Sequence, residues 1–179
     1  GYNIGYRFIG TERGVCNGSF LGIGADDCHV AIQIDQCAPF GLLITNGEFV
    51  SFRGPDPTMV VVSDTHTGSV RFVNCAYWGP NNQIAKVAGS GTVGFSDCTM
   101  QAWDRAREGR HAIQATGGTL LVRGCEFRTD APQVELGVGV QRAVIAENVF
   151  NGSERIANHG AESVQVGLNA ESPVHHGDG

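Results

Sequence analysis

A ten-residue pattern that recurs along the chain is the feature that most restricts how this sequence can fold. Its clearest copies are Gly68–Tyr77, Gly91–Met100 and Gly118–Phe127, and the looser ones are Gly41–Phe49, Arg142–Phe150 and a start at Asn17–Phe20. Aligned on one turn position, the copies place Asn17, Asn46, Asn74, Asp97, Gly124 and Glu147 at steps of 29, 28, 23, 27 and 23 residues. Such a period, between about 20 and 30 residues, is typical of a solenoid, in which each unit buries its apolar side against its neighbours.

Each copy has the pattern of a β-strand followed by a turn. Apolar residues alternate with other residues, as Leu120 and Val122 do, and a period of two is that of a strand. The turn residue tolerates a left-handed backbone, so the chain bends sharply after the strand. This bend should point one large residue of each copy into the core: Phe20, Phe49, Tyr77, Met100, Phe127 and Phe150.

The pattern therefore predicts an all-β fold, a right-handed parallel β-helix of about six coils. An all-β sandwich is the alternative, but its strands would not need the turn residue, the cysteine and the aromatic residue to return in phase. Residues 1–168 should form a single domain, and the polar residues 169–179 a disordered tail. Cys75, Cys98 and Cys125 share one repeat position, so we expect them to be free, buried thiols.

Composition excludes two classes of partner. A formal net charge of −6 and a pI near 5.4, without a basic stripe, argue against binding to a nucleic-acid backbone. No apolar run reaches the roughly 18 residues of a membrane span, so we expect no membrane partner. No signal peptide is visible, and the start at Gly1 is typical of a fragment, so the sequence does not indicate the cellular compartment.

The repeat resembles that of the pectate-lyase-like superfamily of right-handed β-helices, as in Gly68-Ser-Val-Arg-Phe-Val-Asn-Cys-Ala-Tyr77, over roughly residues 15–168. This resemblance implies the C-terminal coils of a longer bacterial protein. It also implies an activity on acidic or neutral polysaccharides, by lyases that use calcium with Arg or Lys bases or by hydrolases that use paired carboxylates, and secretion if the parent degrades polysaccharide. Calcium enters only through the resemblance, because the sequence itself indicates no metal site or other cofactor.

Two short segments are candidates for catalysis. Asp26-Asp27-Cys28 is similar to the Asp-Asp-Cys turn of polygalacturonase-type hydrolases, in which one acid protonates the leaving oxygen and another activates water. The other motifs of those enzymes are missing, and a solvated turn is the alternative. His66 follows Asp64, and a histidine held by a carboxylate can act as a base; a plain polar turn is the alternative here.

The charged insertion Trp103–His111 is the candidate for substrate binding. Arg105, Arg107 and Arg110 could grip a uronic carboxylate while the indole of Trp103 stacks on a sugar face. A salt-linked surface loop is the alternative. Together these features favour a carbohydrate-directed module that has weak or no catalysis of its own.

A structural or oligomerisation solenoid without a ligand, of the tailspike kind or another, is the rival hypothesis for function. Strand parity turns Leu43, Val73, Leu121 and Val144 outwards, which predicts an exposed apolar row that is interrupted by Arg71 and Arg123. The alternating segment Tyr2–Phe8 would have no preceding coil to pair with. Both features predict a homo-oligomer.

Overall fold

A computed structural model describes residues 1–172, which form strands and turns arranged as a parallel β-solenoid of about seven turns. The strands in chain order are β1 (Tyr2–Phe8), β2 (Gly10–Thr11), β3 (Gly14–Leu21), β4 (Gly24–Ile34), β5 (Cys37–Thr45), β6 (Glu48–Ser51), β7 (Thr58–Val62), β8 (Ser69–Val73), β9 (Ala76–Tyr77), β10 (Gln83–Val87), β11 (Thr92–Ser96), β12 (Thr99–Met100), β13 (Ile113–Arg123), β14 (Glu126–Phe127), β15 (Val134–Ala146), β16 (Val149–Phe150), β17 (Ile156–Asn158), β18 (Ser163–Gly167) and β19 (Ala170–Glu171). The predicted all-β solenoid is confirmed.

The strands stack into three parallel sheets. The first sheet contains β1, β7, β10, β17, the C-terminal half of β4 and the N-terminal ends of β13 and β15. The second contains β3, β5, β8, β11, β18 and the C-terminal ends of β13 and β15. The third contains β6, β9, β12, β14, β16, β19 and the start of β4. Only β2 pairs antiparallel among these strands, in a hairpin with β3.

One turn position with positive φ joins the second sheet to the third in every coil. It is occupied by Gly22, Asn46, Asn74, Asp97, Gly124, Glu147 and Leu168, with φ between 51° and 66°. Five of these residues were predicted from the repeat. The prediction for the first coil, Asn17, is wrong, because Asn17 lies inside β3. Gly22 occupies the turn instead: its amide donates to the Thr45 carbonyl, just as the amide of Asn46 donates to the Val73 carbonyl. Counting Gly22 and Leu168 gives seven coils where about six were expected.

The large side chains after the turn form one interior row, as the repeat predicts. Phe49, Tyr77, Met100, Phe127 and Phe150 are register partners from coil to coil, and each is fully buried. The exception is Phe20, which pairs with Ile44 on the second sheet because its turn lies two residues later, at Gly22. The third sheet has Ala25 in the place assigned to Phe20.

The residue directly after the turn forms a second interior row, which we call the cysteine column: Cys75, Cys98 and Cys125. All three are free thiols with at most 2% exposure, as predicted. Contact with the neighbouring Cys125 thiol, assisted by burial, raises the pKa of Cys98 to about 12. The next two coils continue the row with Asn148 and Asn169.

Strand β19 extends the solenoid into the first residues of the tail that was predicted from the sequence. Residues 173–179 of that tail lie outside the described residues. In the described part, no helix is long and apolar enough to cross a bilayer.

Candidate functional site

The two adjacent carboxylates of the Asp-Asp-Cys turn have different surroundings. Asp27 has a φ of 58° and forms an ion pair with Arg53 and a longer one with the N-terminal amine, 3.4 Å away. The hydrogen bond from Arg53 lowers the pKa of Asp27, so this carboxylate stays ionised. Asp26 instead lines a groove of about 300 Å³ on the third sheet, together with Glu48 and Trp78. The indole of Trp78 is fixed there by a 2.8 Å hydrogen bond to Glu48.

His66 lies in the core and not on a polar turn. Its side chain is fully buried, and its Nε2 lies 3.3 Å from the Sγ of Cys37. Burial lowers the pKa of His66, so the ring is neutral. No hydrogen bond or ion pair joins it to the exposed Asp64 in residues 1–172. His66 is therefore sealed from any substrate in this structure, and the structure does not bring it together with Asp26 or Asp27.

Trp103 does not offer the stacking platform that the sequence suggested. It is only 2% exposed, its Nε1 donates to the Pro132 carbonyl at 2.9 Å, and its ring packs edge-on against Phe127 at 5.9 Å. The insertion folds back on the next coil, and the indole, as the largest apolar group of the loop, fills the space between them. Trp103 is thus part of the core.

The arginines of the insertion serve mainly to hold the loop. Arg105 donates to the carbonyls of Phe52 and Gly54, at 3.0 and 3.3 Å. Arg110 bridges the carboxylates of Asp56 and Glu108 at 2.9 and 2.8 Å. Arg107 is exposed and lines an open groove of about 700 Å³ with Arg105, Asp104, Asp130 and Arg155. This insertion is largely the salt-linked loop that was the alternative.

The outer face of the second sheet carries arginines, and the strand segments that pair in this sheet contain no Asp or Glu. Its central row is Ser19, Leu43, Arg71, Gly94, Leu121, Val144 and Gln165. The flanking rows are Ser69, Thr92, Thr119, Arg142 and Ser163 on one side and Thr45, Val73, Ser96, Arg123, Ala146 and Gly167 on the other. We call this surface the arginine face. In a chain of net charge −6 it concentrates three guanidinium groups on one flat surface.

The arginine face also corrects the expected apolar row. Leu43 is 38% exposed, but Arg71 and Gly94 separate it from Leu121 in the register. Val73 lies in a flanking row and not in line with the others. The apolar side chains therefore form no continuous row, because cations and hydroxyl groups lie between them.

An exposed aromatic ring stands at one end of the arginine face. Phe40 is 82% exposed and borders an open groove of about 490 Å³ whose lining includes Asn17, Ser19, Leu43 and Arg71. The groove exists because the next residue, Gly41, has a φ of 105° and lies against the following coil, where a Cβ would come 2.9 Å from a carbonyl oxygen. The exposed ring of Phe40 and parts of Asn17, Ser19 and Arg71 thus line one groove.

The sequence contained partial signals for this surface. The parity that buries Leu42 and Ile44 also turns Arg71 outwards, and Gly94 interrupts the alternation in its copy. Phe40 lies outside the ten-residue pattern, so the repeat alone could not identify it. In residues 1–172, no three His, Cys, Asp or Glu side chains are grouped in a way that could hold a metal ion.

Comparisons with known proteins found no family model, no curated protein and no solved structure that matches this chain.

Proposed function

We propose that this solenoid is a carbohydrate-directed module that binds a linear polysaccharide along the arginine face, with weak or no catalysis of its own. The observation that carries the proposal is the groove that the exposed ring of Phe40 and the residue Arg71 both line. Sugar sites combine an aromatic platform, which covers the apolar face of a pyranose ring, with planar donors for its oxygens. The resemblance of the repeat to the pectate-lyase-like superfamily agrees with this ligand class.

The spacing of the arginine face suits a polymer. Successive coils are about 4.8 Å apart, and one sugar unit of an extended chain has a similar length. The hydroxyl row of Ser69, Thr92 and Thr119 repeats at this step, because the three residues are register partners. A chain that lies along the axis would therefore meet the partly exposed hydroxyls of Ser69 and Thr92, and then Arg142, which donates to the buried hydroxyl of Thr119.

Binding without catalysis is favoured because the candidate catalytic groups are dispersed. Asp27 is engaged by Arg53, His66 is buried beside Cys37, and Asp26 lines a groove on a different sheet. Hydrolysis of a glycosidic bond needs two carboxyl groups on opposite sides of one scissile bond. We therefore expect the Asp27→Asn variant to bind polysaccharide as the wild type does.

Affinity electrophoresis against xylan, glucomannan, polygalacturonate, alginate and hyaluronan tests the proposal. At least one polymer should retard the wild type, and Phe40→Ala should weaken this binding by about five-fold or more, since loss of one stacked aromatic ring costs about 1–3 kcal/mol. Phe52→Ala is the matched control, because Phe52 is 40% exposed and lies outside the arginine face. Absence of binding to all five polymers would contradict the proposal.

A structural solenoid that self-associates is the second candidate function. The observation that favours it is that β1 pairs only with β4 in residues 1–172, so its other edge presents unpaired backbone groups. We expect light scattering at micromolar concentration to report at least twice the chain mass of 18.9 kDa. A monodisperse monomer would remove this candidate.

A further inference from the structure

Arg71 occupies a slot on the arginine face that is open because Gly94 has no side chain. Arg71 and Gly94 are register partners on β8 and β11. A Cβ placed on Gly94 would come 2.9 Å from both the Cδ and the Nη1 of Arg71, so the arm lies flat over the glycine and reaches towards the next coil. The Nη1 atom is buried and has no hydrogen-bond partner within residues 1–172.

Arg142 approaches this part of the face from the opposite direction. Arg142 lies one coil beyond Thr119, and its Nε donates to the Thr119 hydroxyl at 3.3 Å, so its arm turns back towards the preceding coil. Arg123 belongs to the same strand as Thr119. Since Gly94 and Leu121 are register partners, the three cations surround this pair of coils.

A guanidinium that is partly removed from water normally has a partner, because an unsatisfied charged donor is costly to desolvate. The segments that pair in the second sheet, which are 119–123 of β13, 142–146 of β15 and the strands β3, β5, β8, β11 and β18, contain no Asp or Glu that could supply one. The partner that satisfies this arrangement is an oxyanion, whose two oxygens match the planar fork of an arginine. A second copy in a symmetric pair is disfavoured, because it would oppose three arginines with three more.

We propose that the arginine face binds an anionic group, a carboxylate or a sulfate, carried by the polysaccharide, and that Arg71 in the slot over Gly94 is the residue that selects it. This inference rests on the proposed function and names the substrate class of the same site. The other cationic groups of the face are Arg123 and Arg142, and the two strands packed beside β8, which are β5 and β11, contain no Asp or Glu.

The test compares polymers that share a backbone but differ in charge. Binding of dextran, carboxymethyl-dextran and dextran sulfate is measured by affinity electrophoresis or calorimetry at physiological salt, together with xylan as a second neutral polymer and alginate as a second anionic one. We expect wild-type protein to bind at least one anionic polymer ten-fold or more tightly than either neutral one. Arg71→Gln should weaken this binding by about ten- to hundred-fold, as expected for loss of a hydrogen bond to a charged group.

Two further variants separate position from charge. Gly94→Val keeps all three arginines but fills the slot. The fold should persist, because only the flexible end of the Arg71 side chain must move. We expect this variant to lose about as much binding as Arg71→Gln does. Arg13→Gln removes an exposed arginine of the β2–β3 hairpin and should leave binding unchanged. Far-UV circular dichroism checks the fold of each variant, and Arg71→Gln decides the matter if Gly94→Val does not fold.

The outcomes distinguish this inference from the proposed function. If neutral polymers bind as tightly as anionic ones, or if Arg71→Gln weakens binding no more than Arg13→Gln does, the inference is overturned while the proposed function stands. If no polymer of either set binds, both are overturned. Preference for the carboxylated or the sulfated dextran then identifies the anionic group.

Discussion

Replacement of Asn148 by alanine should destabilise the solenoid more than its neutral, short side chain suggests. Asn148 is 1% exposed in the row that continues the cysteine column. Its Oδ1 accepts from the Cys125 amide at 2.9 Å, and its Nδ2 donates to the Val122 carbonyl at 3.2 Å and to Asn169 at 3.1 Å. The Asn148 side chain therefore satisfies two buried backbone groups of the preceding coil and also hydrogen-bonds to Asn169 in the last coil.

The expected loss follows from those two backbone groups. A buried group left without a partner costs about 1–3 kcal/mol, so Asn148→Ala should lower the free energy of unfolding by about 2–6 kcal/mol. Asn148→Cys should cost much less, because a thiol in this row can take both bonds. Cys125 itself donates to the Phe95 carbonyl at 3.5 Å and accepts from the Cys98 amide.

Urea denaturation followed by far-UV circular dichroism measures both variants. Asn151→Ala is the control, since Asn151 is exposed and makes one hydrogen bond to the Arg128 carbonyl; it should change stability by no more than about 0.5 kcal/mol. If Asn148→Ala costs as little as this control, or if the alanine and cysteine variants of Asn148 are equally unstable, the argument from hydrogen bonds is refuted and packing alone decides this row.

Three further predictions concern the thiols, the acid stability and the turns. In the native protein the five buried thiols should react slowly with a thiol reagent at neutral pH and the partly exposed Cys16 faster, and all six cysteines should be free thiols after unfolding without reductant; a smaller number would indicate a disulfide. Burial alone would raise the pKa of Asp56, but the hydrogen bonds from Lys86 and Asn82 outweigh it and lower the pKa. The ionised Asp56 therefore stabilises the fold above the ordinary Asp pKa, and this stabilisation is lost as the pH falls through the lower pKa of the folded state. Asp56→Asn lacks this carboxylate, so its Tm should fall less than the Tm of the wild type between neutral pH and about pH 3. Glu147 has a φ of 62°, and Glu147→Asn should raise the free energy of unfolding by about 1 kcal/mol, because Asn tolerates the left-handed region; an unchanged or lower urea midpoint would contradict this.

The sequence by itself determined the architecture and the two best-defined interior rows. Strand parity and turn chemistry act within a few residues, so alternation around Leu120 and a turn residue such as Asn74 are readable without any knowledge of neighbours. Once the period is known, equivalent positions must stack, and Phe127 and Cys125 could be assigned to buried rows correctly.

Only the tertiary structure decided which side chains meet between coils. Cys37 and His66 are 29 residues apart, Trp103 reaches Pro132 on the next coil, and Arg71 lies over Gly94 because that glycine leaves space. These contacts depend on the direction in which each side chain leans along the axis and on the path of each loop, and neither has a sequence period. The repeat therefore specifies the rows of the solenoid, whereas the site on its surface arises from contacts that single coils do not encode.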